Sequence, residues 1–317
     1  MAARQTKKAK ANRNVIYAAY LVFGLLLLYL AITQQQELWD SVDAIKNADF
    51  SLIGLSLAFQ LGTYLSAAMV YKMIAIRKLP YFKTLLVQVG SSFTNRLLPA
   101  GTGRLATFGD YLVKQGHSVR QAAAIVAVNN LLGFVGLMIL TVSSAFISNT
   151  PLSSAISYRI PAWLLLVIVG ATATAIISVS FYQPMFNKTK KAARGLATDF
   201  KLITKNPLRL LGGLVSSMFI TIFFWAILYA SIYAMGQSAT VLQTFIVLTI
   251  GVAAANITPT PGGVGGAEAG LVAALNSIGI SPDAGIGIAL IYRLITFWLP
   301  IIPGFLCFRL ALRRRLL

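Results

Sequence analysis

The chain has 317 residues, 57% of them hydrophobic and 11% charged, with a mean hydropathy of +0.76, which excludes a soluble globular protein and describes a polytopic membrane protein. The net charge of +19, from 27 Lys and Arg against 8 Asp and Glu, falls mostly between apolar runs, so membrane topology explains it better than nucleic acid does. A single cysteine, Cys307, excludes an internal disulfide and a cysteine-based metal site.

Residues 1–14 carry Arg4, Lys7, Lys8, Lys10 and Arg13 and read as a basic cytoplasmic tail. The apolar run from Val15 to Thr33 is long for a signal peptide and lacks a small-x-small cleavage site, so it reads as an uncleaved first helix. Glu37, Asp40, Asp43 and Asp49 place the next stretch outside, where Leu38, Val42 and Ile45 suit a short interfacial helix. Leu52 to Tyr71 returns the chain, and Lys72, Arg77, Lys78 and Lys83 mark the cytoplasm. Residues 84–113 are apolar in patches but broken at Pro99, Gly101 and Gly103, and the cytoplasmic signature resumes at Lys114 and Arg120. A segment that leaves the cytoplasm and returns without crossing is a re-entrant hairpin. The lone His117 lies in this basic loop with no second histidine to complete a metal site, and is expected to be solvated. Ala122 to Ile147 spans outward.

Pro161 to Tyr182 spans back in, and Lys188, Lys190, Lys191, Arg194, Lys201, Lys205 and Arg209 follow. Phe186, Ala193, Leu196, Phe200 and Ile203 recur at helical spacing among them, so residues 185–205 read either as a basic helix on the inner leaflet or as a solvated basic loop. In the first case anionic lipids are partners, each basic residue contributing ~1 kcal/mol. Asn206-Pro207 makes a helix start, and Leu210 to Ala234 spans outward. The second hairpin occupies residues 241–280. Its apolar runs, Val241 to Ala255 and Ala269 to Ile280, would reach only ~22 and ~18 Å as helices, short of the ~30 Å of bilayer hydrocarbon. Between them lies N-I-T-P-T-P-G-G-V-G-G-A-E, Asn256 to Glu268, whose prolines and glycines cannot continue a helix. Irregular backbone at membrane depth survives only inside protein or along a wet cavity, so the loop predicts a site, the alternative being a tight turn between buried helices. Ser281-Pro282-Asp283 then starts a helix, and Gly285 to Phe308 spans inward to Arg309, Arg313, Arg314 and Arg315.

The fold expected is therefore an all-α polytopic membrane protein of about six spanning helices plus two re-entrant broken-helix hairpins, with both termini cytoplasmic. Each half, 15–147 and 148–317, has two spans, a hairpin and a third span, and the halves run in opposite directions. Both hairpins turn on P-x-G-x-G: Pro99-Ala100-Gly101-Thr102-Gly103 and Pro261-Gly262-Gly263-Val264-Gly265. Asparagines precede them, Asn95 and Asn256. Inverted repeats with broken helices near the midplane are the architecture of alternating-access transporters.

Ionisable residues inside a membrane are functional candidates. Arg96, Arg104 and Arg293 match the oxygens of a phosphate bidentately. Glu268 and Asp110 suit pairing with those arginines, or meeting a cationic head group. With the loop residues Pro259, Pro261, Gly262, Gly263, Gly265 and Gly266, they make up the expected substrate site. The bland readings are a first-turn acid answering the helix dipole for Glu268 and snorkelling to the interface for Arg96 and Arg104. No catalytic constellation emerges: Glu268 stands where G-x-G-x-x-G needs its third glycine, and neither a Walker A run nor H-E-x-x-H is present. No metal, cofactor or nucleic acid is expected.

On P-T-P-G-G-V-G-G-A-E-A-G and L-L-P-A-G-T-G-R, the chain resembles the lysylphosphatidylglycerol synthase transmembrane, or flippase-like, family over nearly its whole length. The first of these is the specific motif; the second departs from the family's usual form, in which an arginine and a Gly-Glu pair follow the proline more closely. The resemblance implies a bacterial membrane protein that moves an anionic or aminoacylated phospholipid between leaflets, in a family tied to lysylated lipids and antibiotic resistance. With the last membrane segment so near Leu317, the soluble lysyltransferase domain of multi-domain relatives is expected to be absent, leaving a separate lipid-modifying enzyme as a partner. A lipid head-group or polyprenyl-phosphate transferase, or its membrane partner, and a small-solute transporter are the rival readings.

Overall fold

The computed structural model describes residues 49–97, 102–147, 199–258 and 260–317, all within one compact unit, Ala44–Leu317. The expected spans at 15–33 and 161–182, and most of the basic helix 185–205, lie outside the described residues.

Helices follow the apolar runs, and their starts are capped by the chemistry the sequence offers. Asp49 accepts the Ser51 N–H at 2.8 Å and opens α1 (Phe50–Ile74). Asn206 accepts the Arg209 N–H at 3.2 Å and, with Pro207 beside it, opens α5 (Pro207–Ala234). Thr240 and Gln243 form a reciprocal capping box at the start of α6 (Val241–Ile257). Ser281 caps α8 (Pro282–Arg293), as Ser-Pro-Asp predicts.

Four helical stretches among the described residues are long and apolar enough to cross a membrane: α1, α4 (Val119–Ile147), α5, and the run Pro282–Arg313. These are the four spans expected from this part of the sequence, so the protein is a multi-pass membrane protein. The last run is not regular. After α8, Leu294–Trp298 forms a π turn, marked by the Leu299 N–H reaching the Leu294 carbonyl at 2.9 Å, and α9 (Ile301–Arg313) completes it.

The two broken segments are pairs of short helices packed on one another: α2 (Tyr81–Leu97) with α3 (Thr102–Lys114), and α6 with α7 (Gly266–Ser277). Each pair sits in its own apolar core. Phe108, Tyr111, Leu112, Val87 and Ile125 close around the first, joined by Val70 and Ile74 from α1. Val247, Leu248, Leu271 and Leu275 close around the second, with Ile227, Leu228 and Ile288. The halves pack most extensively where α1 lies along α5 and α9 along α2, and α4 also packs on α5 and α6.

His117 is a correction to the sequence reading. It is not solvated but 3% exposed, in the turn between α3 and α4. Its Nε2 accepts the Arg77 N–H at 3.1 Å, which makes Nδ1 the protonated nitrogen, and that nitrogen donates to the Leu112 carbonyl at 3.1 Å. The ring thus pins two loops and is wanted neutral, because a proton on Nε2 would displace the Arg77 bond. The basic loop around it gave no sign that the imidazole turns inward.

Burial, the largest cause, lowers the His117 pKa below its ordinary value of 6.5. The unfolded chain therefore binds a proton before the folded one does, and stability that is complete above 6.5 is lost as the pH falls below it. His117 is the chain's one histidine. Thermal unfolding in detergent from pH 8 to pH 5 should show Tm falling below about 6.5 in the wild type. The His117→Gln variant should be less stable at pH 8 but flat across that window; an equal fall in both would refute the assignment.

Candidate functional site

The second break is built from backbone that only glycine accepts easily. Gly262 and Gly263 have φ of +62° and +69°, and a Cβ on Gly262 would run into the Phe297 ring. Threonines stitch the loop: Thr258 Oγ1 donates to the Ala254 carbonyl at 2.8 Å, and Thr260 Oγ1 to the Val264 carbonyl at 2.7 Å. The chain then enters α7 with Glu268 in the first turn. One carboxylate oxygen accepts the Gly265 N–H at 2.8 Å, and the other accepts Arg293 Nε at 2.6 Å. This ion pair is largely withdrawn from solvent, its side chains 10% and 14% exposed. Arg293 Nη2 reaches the Gly262 carbonyl at 3.4 Å, so the last span holds both ends of the glycine turn.

Phe297 is the surface on which the two halves meet. The Arg293 guanidinium lies 4.2 Å from its ring centroid and the Arg96 guanidinium 5.6 Å. Arg96, in the last turn of α2, donates Nη1 to the Ser92 carbonyl at 2.5 Å and Nη2 to the Thr296 carbonyl at 2.6 Å. The second bond has a cause in the sequence. In a regular helix the Thr296 carbonyl would accept from residue 300, which is Pro300 and has no N–H. The π turn and the proline leave an acceptor for a guanidinium from the other half.

Arg104, in the first turn of α3, completes the cluster: it and Arg293 both act electrostatically on Arg96. The first break is closed by a near contact, Gly103 packing on the Thr94 backbone where a Cβ would overlap the carbonyl, while Thr94 Oγ1 bonds Thr107 Oγ1 at 2.8 Å. Of the three guanidiniums, Arg293 alone is paired with a carboxylate among the described residues. Arg96 Nε, Arg104 Nε and Asn95 Oδ1 are buried with no hydrogen-bond partner among the described residues. Chemically such an arrangement can receive an anion, with a few acceptor positions beside it.

The structure brings together Asn95, Arg96, Arg104, Gly262, Gly263, Gly265, Glu268 and Arg293 from the residues expected. Glu268 pairs with an arginine, as its sign suggested. Asp110 does not: it is exposed on α3 and pairs with Lys114, one turn on, at 3.0 Å. Asn256 is exposed and bonds the Val252 carbonyl of its own helix at 2.9 Å, so the match with Asn95 is one of sequence and not of surroundings. Gly266 packs against Thr258 and Pro261 is half-buried in the loop. Pro99, Gly101 and Pro259 lie outside the described residues. Sequence reasoning missed Thr296, Phe297 and Tyr64, the last of which lies beside Arg96. The signal for the first two was available, since they follow Arg293 by three and four residues and Pro300 disarms the turn.

The family described as the lysylphosphatidylglycerol synthase TM region matches residues 15–304. No curated protein matches the chain.

Removing one partner of a buried pair leaves the other charge uncompensated, at a cost of about 3 kcal/mol or more. Glu268→Ala and Arg293→Ala should each lower unfolding stability in detergent by about that much, and the double variant by clearly less than the sum. Strictly additive losses would mean that the pair is not the element holding the loop to the last span.

Proposed function

The chain belongs to the lysylphosphatidylglycerol synthase TM region family, and we propose that it moves an anionic or aminoacylated phospholipid between the leaflets of a bacterial membrane. The observation that carries this reading is the charge balance at the meeting of the two breaks: three guanidiniums with one carboxylate, and two buried Nε atoms without a partner among the described residues. A guanidinium fork matches the oxygens of a phosphodiester. Buried donors left unmet cost about 1–3 kcal/mol each, which an arriving phosphate would return. Glu268 keeps the cluster from a full charge of three, and where the lipid bears an amine it is the acceptor for it.

No nucleotide-binding run is present in the sequence, so the motion is that of a scramblase or of a carrier driven by a gradient. The two broken helix pairs, expected to be inverted relatives of one another, would supply the alternating access. Lysyl transfer is not proposed for these residues, since no nucleophile and base are brought together at the cluster among the described residues.

The test is lipid translocation in proteoliposomes with head-group-labelled phosphatidylglycerol and a membrane-impermeant quencher. Wild-type protein should carry quenching past the outer-leaflet fraction, empty vesicles should stop there, and Arg104→Ala should slow the process by about tenfold, the equivalent of one charge-assisted contact. If wild-type protein moves neither this lipid nor a lysylated one, transport is the wrong reading. Conversion of the labelled lipid into a new species would replace it with the transferase reading.

A further inference from the structure

Seven buried side-chain polar atoms have no hydrogen-bond partner among the described residues, and all of them lie on α1, α2 or α3. Three belong to the cluster already described, Asn95, Arg96 and Arg104. The other four are Gln60 Oε1, Tyr64 OH and Tyr71 OH on α1, and Gln88 Oε1 on α2. These side chains belong to residues only 6%, 8%, 1% and 3% exposed.

Their spacing is the informative part. Gln60, Tyr64 and Tyr71 stand at i, i+4 and i+11, which is one face of a helix, with the small Ala67 between them. Eleven residues cover ~16 Å along the axis, about half of the ~30 Å hydrocarbon thickness. The line is joined to the arginines at two levels. Tyr64 lies against Arg96, close enough to act on it as a polar neighbour, and Tyr71 lies within the field of Arg104. Gln88 sits on α2 two turns before Arg96.

A buried polar atom left unpaired costs about 1–3 kcal/mol. Several such atoms left dry along one face would cost a sum that approaches the stability of an ordinary domain. A dry, permanently closed interface of this composition is therefore disfavoured, and buried polar groups of this kind are met by water or by a ligand. The apolar core of the second half contains none of them.

We propose that the Gln60–Tyr64–Tyr71 face of α1 and the facing side of the first hairpin form a hydrated polar seam, opening to the aqueous phase, along which the lipid head group passes to and from the arginine cluster. The head-group route rests on the transport reading above; the hydration of the seam does not.

Both parts are tested in a Cys307→Ser background. Gln60→Cys and Gln88→Cys are placed in the seam, Val247→Cys in the apolar core of the second half, where the wild-type side chain is 0% exposed, and Leu61→Cys on the 64% exposed position beside Gln60. Each variant, purified as a monodisperse protein and reconstituted, is treated with a sulfonate-bearing, membrane-impermeant thiol reagent. Labelling needs a hydrated thiolate, so the two seam cysteines should react about tenfold or more faster than Val247→Cys and Leu61→Cys. Labelling no faster than the core control at either seam position overturns the hydrated seam. Separately, Gln60→Leu/Gln88→Leu, which removes the polar atoms at similar volume, should slow lipid translocation about tenfold, the scale of one or two lost polar contacts. Translocation at the wild-type rate overturns the route. A protein that labels at both positions but moves no lipid overturns the transport reading, and the route with it, while the seam stands.

Discussion

A guanidinium drawn into a membrane protein must be answered by a carboxylate, by carbonyls or by a ligand, and that requirement organises this molecule. Arg293 is answered by Glu268, at 2.6 Å, and by the carbonyl of Gly262. The acid in turn holds the Gly265 N–H. One ion pair therefore fixes both ends of a turn that positive φ values would otherwise leave free to move. Glu268 also sits where the N-terminal dipole of α7 favours negative charge, so the bland and the functional explanations of that residue act together.

The same requirement explains why the last span is irregular. A straight helix would satisfy its own carbonyls and offer nothing to Arg96. Pro300 withholds an N–H, the π turn shifts the register, and the Thr296 carbonyl becomes the acceptor for a residue 200 positions earlier in the chain. Phe297, one residue on, lies under both Arg96 and Arg293. Through these two neighbours the breaks of the two halves are linked, and the absence of a side chain at Gly262 gives Phe297 its place.

Much of this was legible in the sequence because membranes make strong demands of composition. Apolar runs identified the four helical stretches among the described residues that are long enough to cross a membrane, and Pro-Gly clusters located both breaks, since a bilayer tolerates neither charge nor unpaired backbone without cause. Glu268 and Arg293 stood out for the same reason. What escaped notice was decided by tertiary contact. His117 looks like any polar loop residue until α3 and α4 place it between Arg77 and Leu112. Asp110 had the right sign for the arginine cluster but sits on the wrong face of α3, where Lys114 one turn later is nearer. Tyr64 and Phe297 are ordinary in an apolar helix, and only packing shows that guanidiniums lie against them.

The way Arg96 is held bears on what the cluster can do with an anion. Two of its five N–H bonds donate to carbonyls, of Ser92 and Thr296, which leaves Nε and the second hydrogen on each Nη for an arriving phosphate. The two carbonyl bonds hold the guanidinium in place while leaving donors open beside them. The Thr296 carbonyl, left without its helical partner by Pro300, gives Arg96 a fixed anchor in the other half whether or not an anion is present.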